Sequence, residues 1–164
     1  AHALFSAMAV GHMGMSTVHA DSPHGVIYRL QSPPMNIPRV LFQNLDMIIM
    51  IARVKVKDRY VRRITQVVEV IGIDPRTQEI LTNEIFRWDP IKDTFIQTSG
   101  RSYVLEEIMT KTGKSLADIK RELENRKAIL EWMLKNNLRY YKDVARIIAG
   151  YYRNPMEILQ QIGK

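Results

Sequence analysis

An alternating apolar segment that turns and runs back on itself constrains the fold of this chain more than any other feature. From Asp46 to Lys57 the sequence is first apolar and then alternates, with Arg53 and Lys55 on one side and valines on the other. Asp58-Arg59 is typical of a tight turn, and residues 60–73 return with a similar apolar content. Because a period of two sends alternate side chains to opposite faces, this pattern predicts an antiparallel β-hairpin.

Turn signals extend the hairpin into a meander. Asp74-Pro75 and Asp89-Pro90 separate two more strand candidates, residues 79–88 and residues 94–97.

The chain changes character after this meander. From Arg101 onward the apolar residues recur with the helical period of about 3.6. The predicted buried stripe consists of Ile119, Leu123, Leu130 and Met133-Leu134. Two parts are therefore expected, a strand-rich part at residues 1–100 and a helical part at residues 101–164.

Composition and charge narrow the class of protein. The chain has 164 residues, 46% of them hydrophobic, and no cysteine, so it can bury a core but holds neither a disulfide nor a thiolate metal site. Its apolar runs are far shorter than the roughly 20 residues that a membrane-spanning helix needs. The net charge is +7, with 11 basic against 9 acidic residues up to Gly100 and 13 against 8 after it.

Small and polar residues are concentrated between Gly11 and Asp21, after a helical run of small residues. Two glycines, two histidines and a threonine stand within nine residues, and positions 12–20 are predicted to form a β-strand. Asp21-Ser22-Pro23 predicts the cap and first turn of a helix that ends near Gln31. Polar groups at the end of a strand suit work on a phosphate or on the water that attacks it.

The order Gly11-His12, Thr17 and His19-Ala20 resembles the histidine box of the secretion ATPases. These are the hexameric P-loop motors of type II secretion, of type IV pilus assembly and, in archaea, of the archaellum. The run from Pro33 to Pro38 and two carboxy-terminal segments, 124–133 and 151–155, are similar to the archaeal branch. The resemblance therefore covers nearly the whole chain.

This resemblance implies the carboxy-terminal portion of such a motor. The implied fold class is α/β or α+β, with part of a RecA-like P-loop ATPase core that includes an antiparallel meander, followed by a C-terminal helical subdomain. The intact protein is expected to use ATP and Mg²⁺, to form a homo-hexamer and to act on a polytopic membrane platform protein. It would lie in the cytoplasm, peripheral at the inner face of the membrane, and couple ATP hydrolysis to protein export or filament assembly. No nucleic acid is expected as a partner.

Three residues of the box are candidate catalytic groups. By resemblance, His19 stands at the end of a core strand that faces the phosphates, where an imidazole can hydrogen-bond a γ-phosphate oxygen or orient the carboxylate that activates water. Thr17 shares the strand face of His19, whereas His12 lies an odd number of residues away, on the opposite face of an unbroken strand. The alternative is a strand-end histidine bonded to backbone, with Thr17 present for its β propensity.

Three arginines are candidate contacts to the nucleotide or to a neighbouring subunit: Arg29, Arg62 and Arg63. Arg29 lies in the predicted helix after the box, where a surface ion pair is the plainer interpretation. Arg62 and Arg63 belong to a basic cluster on the hairpin that is also typical of a solvated edge strand. The cluster supports an alternative function, a non-enzymatic basic α+β module that binds nucleic acid or a protein partner.

The phosphate-binding loop of a P-loop ATPase is not found in this sequence. The tetrapeptide from Thr112 to Ser115 resembles the end of that loop, but Ile108 occupies the position of its first glycine. Ser115 with Asp118 predicts a helix N-cap instead. This chain alone is therefore expected neither to bind ATP tightly nor to hydrolyse it.

No metal site is predicted. Strand parity separates His12 from His19, and Asp21 and His24 add no spacing that is typical of a zinc site.

Overall fold

A computed structural model describes residues 1–164 and shows a chain of mixed helices and strands. In chain order the elements are α1 (His2–Ala9), α2 (Pro23–Gln31), a 3₁₀ helix (Arg39–Asn44), β1 (Met47–Val56), β2 (Arg59–Ile73), β3 (Ile80–Asp89), β4 (Thr94–Gln97), α3 (Tyr103–Thr112), α4 (Leu116–Lys135), α5 (Tyr141–Arg153) and α6 (Pro155–Gln161). The chain divides into two compact units, residues 1–104, here called the sheet unit, and residues 105–164, here called the helical unit.

The predicted hairpin and meander are confirmed. The four strands form one antiparallel sheet in the order β1-β2-β3-β4. Lys57 adopts a φ of 53° in the turn between β1 and β2. The carboxylates of Asp74 and Asp89 accept backbone N–H bonds in the two following turns, as short polar side chains do where the chain reverses. Helices precede and follow these strands along the chain, so the architecture is α+β.

One bulge changes the side-chain alternation of β2. Met50 pairs with Gln66 and the next residue, Ile51, pairs with Ile64, so Thr65 is an extra residue of β2 in the ladder. The hydroxyl of Thr65 donates a 3.4 Å hydrogen bond to the carbonyl oxygen of Met50.

The core of the sheet unit lies between one face of the sheet, here called the inner face, and the amino-terminal helices. Phe42 of the 3₁₀ helix is fully buried, and its ring lies 5.5 Å from the ring of Phe5 in α1. Ile48 from β1 joins this cluster, which also holds the buried residues Val26, Ile27, Leu30 and Ile37.

The helix starts that the sequence predicts are confirmed. The Ser22 hydroxyl accepts a hydrogen bond from the Gly25 N–H at the start of α2, and Pro23 occupies the first turn. Ser115 and Asp118 form a capping box at the start of α4. Gly113, at a φ of 69°, lies between α3 and that cap, so the tetrapeptide resembling a phosphate loop is a helix-to-helix connection.

The predicted strand at residues 12–20 is wrong. This segment has no strand pairing, and all four strands of the sheet lie within residues 47–97. A β-strand exists only through hydrogen bonds to a neighbouring backbone, and no segment of this chain supplies one here.

The helical unit has its own core around α4, α5 and α6. Its buried residues are Ile129, Met133, Ile147, Tyr151, Ile158 and Leu159. The predicted stripe on α4 is correct at Ile119 and Met133 but wrong at Leu123, Leu130 and Leu134, which are exposed. Ile129 takes the inward position next to Leu130.

One polar pair completes that core. The Tyr151 hydroxyl donates a 2.7 Å hydrogen bond to the carboxylate of Glu122, which also pairs with Arg126 at 2.8 Å. Among the helices, none combines the length and the apolar content that a bilayer crossing requires.

Candidate functional site

The histidine-box segment, residues 12–20, is anchored to the sheet unit by two alternate residues near its end. Val18 and Ala20 are half-buried and pack against the apolar cluster around Phe42. At the other end of the segment, the His12 N–H donates to the Ala7 carbonyl oxygen at 3.1 Å. The backbone of residues 12–20 is therefore held at both ends although it is not part of the sheet.

Thr17 and His19 lie on the exposed side of this segment. Both side chains are exposed, whereas the residues that alternate with them, Val18 and Ala20, turn toward the core. Over residues 17–20 the alternation expected of a strand is thus present without the strand's hydrogen bonds, and it brings the Thr17 and His19 side chains to one side. His12 is exposed as well, at the far end of the segment.

Gly14 lets helix α1 approach this segment closely. A Cβ atom at position 14 would lie 2.5 Å from the Leu4 Cδ1 atom and 3.5 Å from Met8, so a larger residue would displace the helix side chains. The glycine in the middle of the box therefore has a packing role.

Arg29 contacts the backbone of the box. It lies in the last turn of α2, and its Nη1 donates a 3.1 Å hydrogen bond to the carbonyl oxygen of His19. The helix that follows the box thus folds back and holds the backbone of His19. Of the candidate residues, Arg29 and His19 are joined in this way.

Arg63 is engaged elsewhere in the sheet. Its Nε and Nη2 each donate a 2.8 Å hydrogen bond to Asp93, one to each carboxylate oxygen, and the Trp88 indole N–H donates to the same carboxylate at 2.8 Å. The hydrogen bonds from Arg63 and then Trp88 lower the pKa of Asp93 to about 2 and the pairing raises the pKa of Arg63. This pair ties β2 to the turn between β3 and β4.

Arg62 has a different environment from its neighbour. It is exposed and stands directly opposite Arg53 in the β1–β2 ladder. The Arg53 guanidinium lies 4.7 Å from the centre of the Tyr60 ring. Neither Arg62 nor Arg63 makes its contacts with the histidine-box segment, so the structure separates the arginines from the box.

Glu69 is a buried, hydrogen-bonded carboxylate that the sequence interpretation missed. It is fully buried on β2, and its carboxylate accepts hydrogen bonds from the Asn83 amide and the Ser102 hydroxyl. The backbone N–H groups of Tyr103 and Val104 also donate to it, at 2.9 and 3.2 Å, so the carboxylate caps the start of α3.

The ionisation of Glu69 follows from these donors. Burial alone raises the pKa of Glu69, but the combined hydrogen bonds outweigh burial and the pKa lies below its ordinary value. The signal available in the sequence was a single carboxylate inside the apolar run of β2, which must find partners when buried. Asn83 lies 14 residues away on β3, and the other partners lie more than thirty residues away in α3 and its preceding loop, which local patterns do not reveal.

The box offers hydrogen-bond donors to an anion but not a complete catalytic site. An exposed imidazole and hydroxyl can contact a phosphate oxygen, but the phosphate-binding loop of a P-loop ATPase is not found in this sequence. No group of three or more His, Cys, Asp or Glu side chains is arranged to hold a metal ion.

Comparison with known proteins finds relatives in Methanocaldococcus jannaschii. The chain is 39% identical over 144 residues to the uncharacterized protein MJ1287, which covers 88% of this chain and 53% of that protein. It is 33% identical over 156 residues to the uncharacterized protein MJ0900, covering 93% of this chain and 28% of that protein. No protein-family model matches the chain. The chain thus spans about half the length of the first relative and a smaller share of the second.

Proposed function

We propose that this chain is the carboxy-terminal portion of a hexameric secretion-type ATPase. In this proposal the sheet unit contributes to a RecA-like core, and the histidine-box segment presents Thr17 and His19 to the phosphates of an ATP held by a loop elsewhere in the protein. The matching region is about half or less of each relative, which supports the proposal that this chain is part of a longer protein.

One observation carries the proposal: Thr17 and His19 project from the same side of an anchored segment. Val18 and Ala20 hold the segment from beneath, and Arg29 holds the His19 carbonyl oxygen. A group that is fixed through its backbone, with its imidazole exposed, is suited to hydrogen-bond a γ-phosphate oxygen with little reorganisation.

The lack of strand pairing at residues 12–20 also fits this proposal. In the intact motor the segment would join a sheet whose other strands come from the rest of the core. Residues 17–20 already alternate between exposed and half-buried side chains, so at these positions joining such a sheet needs partner backbone and no change in which residues face outward. ATP and Mg²⁺, the hexamer, the membrane platform protein and a position at the inner face of the membrane all belong to the proposed intact protein.

The test is the Mg-dependent ATPase rate and the oligomer size of the intact parent protein, for wild type and His19→Ala. We expect the rate to fall by about 100-fold with the assembly unchanged, because one hydrogen bond to developing phosphate charge is worth that order of rate. His24→Ala is the matched control, since His24 is an exposed histidine of α2. A parent without ATPase activity, or full activity in His19→Ala, would overturn the proposal.

A non-enzymatic binding module is the second candidate. The exposed Arg53 and Arg62 on one side of the hairpin, with Tyr60 beneath Arg53, are the observation that favours it. Binding to nucleic acid would weaken steeply as salt is raised, because phosphate contacts release counterions.

A further inference from the structure

The face of the sheet that points away from the core carries an apolar surface in place of a polar one. In the ladder, Ile49 pairs with Val67 and Val67 with Phe86, and Ile51 pairs with Ile64. Opposite residues of paired strands share a face, so these side chains form one continuous surface, here called the outer surface. Ile49, Ile51, Ile64 and Phe86 are 51%, 64%, 42% and 41% exposed.

An antiparallel sheet with one solvated face ordinarily alternates apolar residues inward with polar residues outward. The inner face obeys this rule, since Ile48 and Val68 are buried. The outer surface breaks it across three neighbouring strands. A contiguous exposed apolar patch of this kind is a candidate binding surface.

Two arginines border the outer surface at one end. Arg53 and Arg62 pair directly, two residues along the hairpin from Ile51 and Ile64 and on the same face. Like charges directly opposite one another destabilise a strand pair, so this arrangement costs stability unless an anion lies between them. The Arg53 guanidinium stacks on Tyr60, and neither arginine has a carboxylate partner among the ion pairs of the structure.

We propose that the outer surface binds a segment of a partner protein that carries aliphatic or aromatic side chains next to a carboxylate. The apolar residues of the partner cover Ile49, Ile51, Ile64 and Phe86, and the carboxylate lies between Arg53 and Arg62, where a guanidinium offers paired donors.

The apolar content of the surface favours a protein partner over nucleic acid and over an anionic membrane. Nucleic acid presents phosphates and bases, and bases stack on aromatic rings, whereas this surface is mainly isoleucine and Arg53 already covers a face of Tyr60. Peripheral membrane binding typically uses an amphipathic helix whose apolar face enters the acyl boundary, whereas these side chains stand on the broad face of a sheet.

The experiment titrates the ¹⁵N-labelled 164-residue chain with defined probes. The main probe is an 18-residue amphipathic peptide of leucine, phenylalanine and glutamate, and a second peptide has lysine in place of each glutamate. Single-stranded oligothymidylate and vesicles with 30% phosphatidylserine are the other probes. We expect the acidic peptide alone to shift the amides of Ile49, Ile51, Ile64 and Phe86.

Charge exchange then tests the carboxylate contact. Arg62→Glu should weaken the acidic peptide by about tenfold or more and should strengthen the lysine peptide, because the charge at that position is reversed. Arg59→Glu is the matched control, since Arg59 lies on the same strand and pairs with Val56 on the other face. The amide spectrum of each variant shows that it is folded.

Every other outcome contradicts the proposal. Binding of the oligonucleotide or the vesicles to the same amides, without the acidic peptide, would assign the surface to that partner. Equal effects of Arg62→Glu and Arg59→Glu on the affinity for the acidic peptide would show attraction by net charge alone. If no probe binds, the outer surface is not a binding site.

Discussion

Arg29 donates a hydrogen bond from its guanidinium to the backbone carbonyl oxygen of His19, across 3.1 Å and ten residues of sequence. The bond joins the last turn of α2 to the histidine-box segment. It fixes the backbone from which the His19 imidazole projects and leaves that imidazole exposed. Arg29 therefore acts on the segment through its backbone.

Replacing Arg29 by glutamine should loosen the box with little loss of global stability. We expect faster amide hydrogen exchange at Val18–Ala20, and a fall of about 0.5–1 kcal/mol in the free energy of unfolding, because a single exposed hydrogen bond is lost. Arg39→Gln is the control, since Arg39 donates a comparable 2.6 Å bond to the Gln78 carbonyl oxygen. Equal exchange in the box for both variants would contradict a positioning role.

Glu69→Gln should destabilise the sheet unit by about 2–4 kcal/mol. Each carboxylate oxygen accepts one backbone N–H of α3, from Val104 or Tyr103. A glutamine amide in either orientation turns an NH₂ group toward one of these donors. Urea denaturation measures the change, and Glu79→Gln, at an exposed position just before β3, should stay within about 0.5 kcal/mol of wild type. A Glu69→Gln variant as stable as wild type would show that the carboxylate is not required.

The Asp93 carboxylate should make stability depend on acid pH. Its pKa falls from an ordinary 3.8 to about 2 in the folded chain, mainly through Arg63. A lowered folded pKa stabilises the native state above the unfolded pKa, and this contribution is lost as the pH falls from about 4 to about 2. Asp93→Asn should therefore differ most from wild type near pH 6, and the difference in melting temperature should shrink toward pH 2. Arg63→Gln should reduce the same pH dependence, because the hydrogen bond from Trp88 remains, and a constant difference between Asp93→Asn and wild type across this range would contradict the assignment.

Tyr151→Phe should lower the free energy of unfolding of the helical unit by about 1 kcal/mol. The Tyr151 side chain is buried and its hydroxyl donates to Glu122. Burial, and then this hydrogen bond, raises the pKa of Tyr151. Tyr141→Phe removes a hydroxyl from a tyrosine that is 67% exposed and should change stability little. Chemical denaturation of the two variants makes the comparison, and equal losses would contradict the role of the bond to Glu122.

The sequence predicts those parts of the fold that depend on local chemistry. The Ser22 and Ser115 caps, the prolines that follow a cap and the turns at Asp74 and Asp89 each rest on contacts within a few residues. The hairpin was predictable because its two strands are neighbours along the chain. On α4, by contrast, leucine and isoleucine fit the stripe equally well, and the choice of Ile129 over Leu130 is made by the helices that pack on it.

The candidate site was predictable only in its alternation. Thr17 and His19 share a side because Val18 and Ala20 are drawn to the core, which the sequence pattern already indicates. The sequence could not show that residues 12–20 lack a pairing strand, because strand pairing depends on backbone that is not adjacent in the sequence. Arg63 is 30 residues from Asp93, and the α3 backbone that binds Glu69 is 34 residues or more from it, and no local rule specifies such contacts.

The bulge at Thr65 has a consequence for the two neighbouring arginines of β2. If the alternation continued unbroken from Gln66, Ile64 and Arg62 would turn inward and Arg63 would turn outward. With the extra residue, Arg63 reaches Asp93 and Arg62 stays on the outer surface. A single added residue thus gives the two neighbouring arginines different roles. Arg63 stabilises the fold through Asp93, and Arg62 is left for another molecule. Insertions and deletions near position 65 would therefore change what this protein can recognise without altering its charge.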